Sequence, residues 1–166
     1  MAEITLGGNP INTVGALPAV GSAAPSFVLT GADFGSVSLS DFAGQRIVLN
    51  IFPSIDTRVC ATSVRTFNER AAGLDNATVL CVSADLPPAA GRFCGAEGIE
   101  DVKTGSTFKN PEVLDDYGVR IVDGLMAGLA ARAVVVIDES GTVVHSELVP
   151  EIAQEPDYDA ALAALG

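Results

Sequence analysis

One cysteine of this chain stands where an apolar segment passes into a helical one. Residues 47–52 are nearly all apolar and rich in β-branched side chains, which predicts a strand buried on both faces and ending at Pro53. Beyond Cys60, apolar residues recur at intervals of three and four, which is typical of one face of a helix: Val64, Phe67, Ala71 and Leu74. Cys60 is therefore expected in or beside the first helical turn. Unpaired backbone N–H groups and the helix dipole stabilise a thiolate there, and the thiolate is the nucleophilic form of cysteine.

The sequence also permits a purely structural interpretation of Cys60. Free cysteines are often small buried hydrophobic residues, and some of them happen to begin a helix. Arg58 and Arg65 could add positive potential near the sulfur, but neither is specific enough to decide between a structural and a reactive thiol.

The loop before the helix has the pattern P-x-x-x-T-x-x-C, formed by Pro53, Thr57 and Cys60. This pattern after a buried strand resembles the active-site loop of the peroxiredoxins. Within that superfamily the chain is similar to the bacterial thiol peroxidases, which are atypical members with two reactive cysteines. The similarity extends over essentially the whole chain, through residues 50–65, 92–98, 129–138 and 155–158.

The resemblance implies a role for five residues. Cys60 would attack the peroxide oxygen–oxygen bond and become a sulfenic acid, and Cys94 would condense with it to an intramolecular disulfide. The Thr57 hydroxyl would face the sulfur and orient the peroxide, while Pro53 would make the entry to the loop rigid. Arg132 would lie in the Cys60 pocket, where its guanidinium stabilises the thiolate and the negative charge that develops on the leaving oxygen.

Four of these residues also have a purely structural interpretation. The Thr57 hydroxyl could simply stabilise the loop by a local hydrogen bond, and Pro53 could simply end a strand. Cys94 could be a helix-face cysteine without chemistry. Arg132 is the only charged residue within residues 129–137 and could be a surface side chain at a strand end; if it is buried, it needs an anionic partner.

The helix expected to carry Cys94 is weak. It opens at two prolines, residues 87 and 88, and contains Gly91 and Gly95; interior glycines weaken a helix by about 1 kcal/mol each relative to alanine. A disulfide requires α-carbons within about 7 Å, which two helices anchored on different parts of a sheet seldom provide. We therefore expect both cysteine segments to unfold partly during turnover. The family usually has a better helix former near Gly91, so this helix is expected to open more readily than in its relatives.

The predicted activity is the reduction of hydrogen peroxide and organic hydroperoxides, with recycling by a thioredoxin-type dithiol partner. The resemblance implies that no metal, haem or flavin cofactor is needed, and that the chain forms a homodimer in which each site is complete within one chain. An alternative is a peroxide sensor or thiol-switch binding protein that uses Cys60 without sustained turnover. A general dithiol–disulfide oxidoreductase is a further alternative, which the absence of a C-x-x-C motif opposes.

The amino-acid composition and net charge limit the classes of protein to which the chain could belong. The chain has 166 residues, 48% of them hydrophobic, which fits one domain over residues 1–166 with an N-terminal hairpin extension over residues 1–17. A net charge of −12 opposes binding to nucleic acid and to anionic membranes. No secretory signal is visible at the start, and Arg132 interrupts the longest apolar run, so we expect a cytoplasmic protein. The three scattered cysteines would form only a transient, catalytic disulfide in a reducing compartment.

The remaining segments predict a thioredoxin-like fold, with a central mixed sheet flanked by helices. Residues 78–83 should form a second buried strand parallel to the first, residues 133–137 and 142–148 an antiparallel hairpin, and residues 110–118 and 158–165 two helices. Cys81 lies mid-strand, where packing explains it fully. His145, beside two polar residues, is expected on an exposed strand face without a catalytic or zinc-binding role.

Overall fold

The computed structural model describes residues 1–165. They form a two-stranded hairpin, a seven-stranded sheet, four α-helices and one 3₁₀ turn, residues Leu39–Phe42. The hairpin consists of β1 (Glu3–Leu6) and β2 (Asn9–Asn12). The sheet strands are β3 (Val28–Thr30), β4 (Ser36–Ser38), β5 (Arg46–Ile51), β6 (Ala77–Ser83), β7 (Val102–Ser106), β8 (Ala133–Ile137) and β9 (Val143–Leu148). The helices are α1 (Arg58–Ala71), α2 (Pro87–Glu97), α3 (Glu112–Asp116) and α4 (Tyr158–Ala163).

Strand β5 lies inside the sheet, whose order is β4-β3-β7-β6-β5-β8-β9. It runs parallel to β6 and antiparallel to β8. In the antiparallel pair, Ile51 at the end of β5 lies opposite Ala133 at the start of β8. Because Arg132 directly precedes Ala133, this register brings residue 132 to the edge of the sheet from which the Cys60 loop begins.

The side chains of β5 enter two hydrophobic clusters, one on each face of the sheet. Ile47, Leu49 and Ile51 pack with the hairpin and α3, whereas Val48, and Phe52 directly after the strand, pack with α1 and α4. Alternate residues of a strand point to opposite faces, so a strand covered on both sides needs apolar residues at nearly every position. The prediction of a doubly buried strand is confirmed.

The mixed sheet with flanking helices and the separate N-terminal hairpin are confirmed, and two strands were missed. β4 and β7 are short and polar, and neither has the apolar run that predicts a buried strand. β7 also contains Gly105, which sequence patterns treat as a strand breaker. The fold needs glycine there, because a β-carbon at this position would lie 2.7 Å from Cδ1 of Leu29.

The expectation of an exposed His145 was wrong. This histidine is half-buried on β9, and its Nε2 is buried without a hydrogen-bond partner among the described residues. β9 is an edge strand, but Val143 and Leu148 pack in one hydrophobic cluster and Val144 in the other. Because both faces of the strand contact packed side chains, polar neighbours in the sequence did not imply exposure.

The helices predicted over residues 110–118 and 158–165 are present with shorter bounds. Residues 110–118 were expected to be helical, and the helix covers Glu112–Asp116, followed by Gly118 with φ +70°. This glycine is required sterically as well, since a β-carbon would overlap the backbone of Ala16. Among the described residues, no helix is long and apolar enough to cross a membrane.

Candidate active site

Cys60 lies in the first turn of α1, as its third residue. Residues 54–57 form the turn that leads from β5 into this helix, with the Thr57 N–H donating to the Ser54 carbonyl at 3.1 Å. In the first helical turn the backbone N–H groups have no acceptor within the helix, so the local potential favours an anion. The Cys60 side chain is fully buried, among Phe52, Ile55 and Val64.

Arg132 meets the Cys60 sulfur inside the protein. Its Nη2 donates to Cys60 Sγ at 3.2 Å, and its Nε donates to the backbone carbonyl of Ile152 at 2.8 Å. The side chain is 1% exposed, and its Nη1 is buried without a partner among the described residues. A buried guanidinium needs an anionic partner or several acceptors, and the Cys60 sulfur is the ionisable group that contacts it. One hydrogen-bond donor remains free beside the sulfur.

The Cys60 loop has a defined conformation that involves Thr57 and Pro53. Pro53 is buried, whereas Thr57 is exposed and serves as the N-cap residue of α1. The Thr57 Oγ1 donates to the Ser54 carbonyl at 3.0 Å, so in this conformation the hydroxyl stabilises the loop. Its role toward sulfur and peroxide stays a prediction. A hydroxyl can rotate to a second partner, so the loop bond does not preclude that role.

Asp85 is a loop-binding residue that the sequence patterns did not identify. It lies two residues after the end of β6, and its carboxylate accepts hydrogen bonds from the Ser54 hydroxyl and from the Ile55 N–H, each at 2.7 Å. The signal that could have revealed it is its position after a parallel strand adjacent to β5, because the carboxyl ends of parallel strands meet at one edge of a sheet.

Cys94 lies near the end of α2 and is half-buried. Burial raises the pKa of its thiol, since the thiolate would lose solvation. The helix is fixed to α1 by surface contacts: the Arg65 Nε and Nη2 donate to the Glu97 carboxylate at 3.0 and 2.9 Å, and the Arg65 guanidinium lies 5.6 Å from the centre of the Phe93 ring. Arg65 therefore binds Glu97 rather than adding free positive potential at Cys60.

Cys81 lies inside the sheet, 2% exposed, and its burial raises the pKa of the thiol to about 12. Asn50 donates a long hydrogen bond of 3.7 Å to its sulfur and a second one of 3.3 Å to the Ser63 hydroxyl. A buried thiol that is difficult to ionise is a poor nucleophile. All three cysteines carry free thiols in this conformation.

A shallow concavity lies beside the Cys60 turn. It has a volume of about 370 Å³ and is lined by Arg58, Val59, Thr62, Ala153 and Glu155. Cys60 itself does not line it. In the described part of the chain, no group of three or more histidine, cysteine or acidic side chains is placed to hold a metal ion.

The chain matches a known family model and curated proteins over most or all of its length. The model described as Redoxin covers residues 19–162. Thiol peroxidases of Mycobacterium bovis and Mycobacterium tuberculosis are each 66% identical over 166 residues, covering 100% of this chain and 99% of the relative.

Solved structures have the same architecture. A peroxiredoxin-like protein from Aquifex aeolicus superposes with a TM-score of 0.93 at 38% identity, covering 98% of this chain and 95% of the other. Thiol peroxidase from Chromobacterium violaceum superposes with a TM-score of 0.90 at 20% identity, covering 97% and 93% of the two chains. At that lower identity the likeness concerns the fold, which is thioredoxin-like.

Proposed function

This chain belongs to the redoxin family and is a thiol-dependent peroxidase, and we propose that Cys60 is its peroxidatic nucleophile and Cys94 its resolving thiol. The observation that carries the proposal is the 3.2 Å contact between Arg132 Nη2 and Cys60 Sγ, made at the amino end of α1. Two positive influences, a guanidinium and a helix end, converge on one sulfur. That is the environment in which a cysteine reacts as a thiolate.

In the first step the Cys60 thiolate attacks the terminal oxygen of a hydroperoxide. A sulfur–oxygen bond forms, the oxygen–oxygen bond breaks, and the leaving alkoxide or hydroxide takes a proton to depart as an alcohol or water. Arg132 supports this step in two ways. Nη2 holds the attacking sulfur, and the unpartnered Nη1 is free to donate to a peroxide oxygen as negative charge develops on it.

Thr57 and Pro53 are proposed to position the reacting groups, whereas the positive charge at the site comes from Arg132. Pro53 is buried at the end of β5 and fixes the direction in which the loop leaves the sheet. Thr57 lies three residues before the sulfur, and its hydroxyl would orient the peroxide after exchanging its bond to Ser54.

In the second step the Cys94 thiolate attacks the Cys60 sulfenic sulfur. A disulfide forms and hydroxide leaves, which gains a proton to become water. A thioredoxin-type dithiol then supplies two electrons and two protons and restores both thiols. Such a reductant fits the family, and it would place the enzyme in a reducing compartment, for which we propose the cytoplasm.

We also propose a homodimer. Cys60, Arg132 and Cys94 come from a single chain, so each protomer would carry a complete site. Sedimentation equilibrium of the reduced protein should give a mass twice that of the chain, and a monomer at micromolar concentration would refute the dimer.

A coupled assay tests the function directly. NADPH oxidation is followed with thioredoxin, thioredoxin reductase and cumene hydroperoxide for the wild type and for Cys60→Ser, Cys94→Ser and Cys81→Ser. We expect sustained turnover in the wild type and in the Cys81 control, none without Cys60, and impaired turnover with thioredoxin without Cys94. Oxidation that stops after one equivalent in the wild type would indicate a peroxide sensor instead.

A further inference from the structure

Asp85 links the two segments that carry the proposed reactive cysteines. These are the Cys60 loop, residues 54–60, and the Cys94 helix with its N-cap, residues 86–97. The Asp85 carboxylate accepts three hydrogen bonds of 2.7 Å, from the hydroxyls of Ser54 and Ser83 and from the Ile55 N–H. Ser54 and Ile55 belong to the turn that leads into the Cys60 helix. Asp85 itself directly precedes Leu86, the N-cap residue of α2, which carries Cys94. One carboxylate therefore binds the Cys60 loop and stands at the start of the Cys94 helix.

The two segments also share packing below this carboxylate. Phe52 and Ile55 line one small cavity from the Cys60 side, and Pro87 and Ala90 line the same cavity from α2. Displacement of either segment would remove packing from the other. Contacts between α2 and α1 farther along, such as Arg65 with Glu97, lie at the exposed surface and are screened by solvent.

We propose that Asp85 is a positioning residue that holds the Cys60 loop in its peroxide-reactive conformation and couples opening of that loop to opening of α2. This inference rests on the proposed roles of Cys60 and Cys94. Attack on peroxide needs the ordered loop, where Arg132 reaches the sulfur. Disulfide formation requires the two α-carbons within about 7 Å, and we expect this to displace both segments because each cysteine is held in its own helix.

The coupling follows from the hydrogen bonds that Asp85 loses when the Cys60 loop opens. When the loop leaves, the carboxylate, which is half-buried in the closed protein, loses two of its three donors. An ionised group without partners is costly to keep in such a site, so the segment from Ser83 to Leu86 is expected to rearrange and release the first turn of α2. Opening of the Cys60 loop then lowers the free-energy cost of opening α2, and opening of α2 lowers that of opening the loop.

The test compares the wild type with Asp85→Asn, which keeps the size of the side chain but removes its charge. Asp138→Asn is the matched control, because Asp138 also accepts three hydrogen bonds, from Ser140 N, Ser140 Oγ and Thr142 N, in a turn of the β8–β9 hairpin. Rapid-quench mass spectrometry measures Cys60 oxidation and Cys60–Cys94 disulfide formation separately. Hydrogen exchange of the reduced proteins measures opening of residues 54–60 and 86–97.

In Asp85→Asn we expect disulfide formation to accelerate about tenfold, the factor that corresponds to loss of one charge-assisted hydrogen bond. Cys60 oxidation should slow by less than about twofold, because the ordered loop remains the major state. Exchange should accelerate in both segments together. A solely structural role would instead lower both rates. If Asp85→Asn does not fold, Ser54→Ala removes one donor and should shift both steps in the same directions by smaller factors.

Two results would overturn the coupling while leaving the proposed function intact: Asp85→Asn behaves like Asp138→Asn, or exchange accelerates in only one segment. If the wild type and Asp138→Asn form no Cys60–Cys94 disulfide with peroxide, the proposed function fails and the coupling fails with it.

Discussion

At the scale of single residues, the proposed chemistry depends on a guanidinium that is buried against a sulfur. Arg132 is 1% exposed, and its charge is met by the Cys60 sulfur and by the carbonyl of Ile152. The planar fork of arginine makes both contacts at once, with Nε and Nη2 pointing in fixed directions. A lysine has a single nitrogen on a flexible stem and cannot reproduce them.

We therefore expect Arg132→Lys to lower the second-order rate constant for Cys60 oxidation by about a hundredfold, as for loss of a donor to a developing oxyanion. Competition with a haem peroxidase for hydrogen peroxide measures this constant. Arg120→Lys is the matched control, because Arg120 pairs with Asp115 at the surface. Equal rates in the two variants, with both folded by circular dichroism, would refute the role of Arg132.

The buried Cys94 thiol leads us to predict that the proposed disulfide-forming step depends on pH. Burial raises the pKa of this thiol above its ordinary value of 9.0 in the closed protein. The protonated thiol thus stabilises closed α2 below pH 9.0, and this stabilisation is lost as the pH rises toward the folded-state pKa. Disulfide formation should accelerate from neutral pH upward, by at most about tenfold per pH unit, as the thiolate fraction grows. A rate independent of pH would contradict this mechanism.

At the scale of elements, the site arises where β5, α1 and β8 meet. The strand and the first turn of α1 could be predicted because their apolar periodicity is strong, and Arg132 could be singled out because it is the only charge in an apolar run. The register that brings Arg132 to Cys60 could not be predicted, since it depends on strand order. Asp85 could not be predicted for the same reason, because its two partners in the Cys60 loop lie 30 and 31 positions away in the sequence.

Helix α2 offers a direct test of segment opening. Gly91 lies inside this helix, and a β-carbon added there would meet no atom within 4 Å. Gly91→Ala should stabilise the helix by about 1 kcal/mol and slow disulfide formation about fivefold. Ala96→Gly, on an exposed position of the same helix, should have the opposite effect. Rapid-quench mass spectrometry of the sulfenic acid and the disulfide measures both. Unchanged rates in both variants would mean that α2 does not need to unfold.

At the scale of the whole molecule, the N-terminal hairpin is hydrogen-bonded to a segment of the candidate active site. The Thr5 N–H donates to Pro150 O at 2.8 Å, and the Ile152 N–H donates to Thr5 O at 2.9 Å. The Glu151 carboxylate accepts from the Thr5 hydroxyl and from the N–H groups of Gly7 and Gly8. The Ile152 carbonyl accepts a hydrogen bond from Arg132, so the hairpin helps to fix the position of the arginine through Ile152.

Glu151→Gln should therefore lower the rate of Cys60 oxidation and leave disulfide formation unchanged. The hydrogen bonds that Glu151 accepts, first of all the one from Thr5, lower its pKa below the ordinary value of 4.5. The stabilisation of the hairpin contact by the ionised carboxylate is therefore complete above pH 4.5, and it is lost as the pH falls through the folded-state pKa. The variant and the wild type should differ near neutral pH and converge in strongly acid solution. Glu139→Gln, at the surface beside Arg46, is the control. Slower disulfide formation in Glu151→Gln would contradict this assignment.

The placement of the two tyrosines makes the unlabelled protein its own optical reporter. The chain has no tryptophan, so its near-ultraviolet emission comes from Tyr117 and Tyr158. Tyr117 donates to Pro25 O, away from the cysteines, whereas Tyr158 packs edge-on against Phe67 of α1 with ring centres 5.1 Å apart. A stopped-flow emission trace should therefore follow rearrangement around α1 through Tyr158, while Tyr117 contributes a constant background.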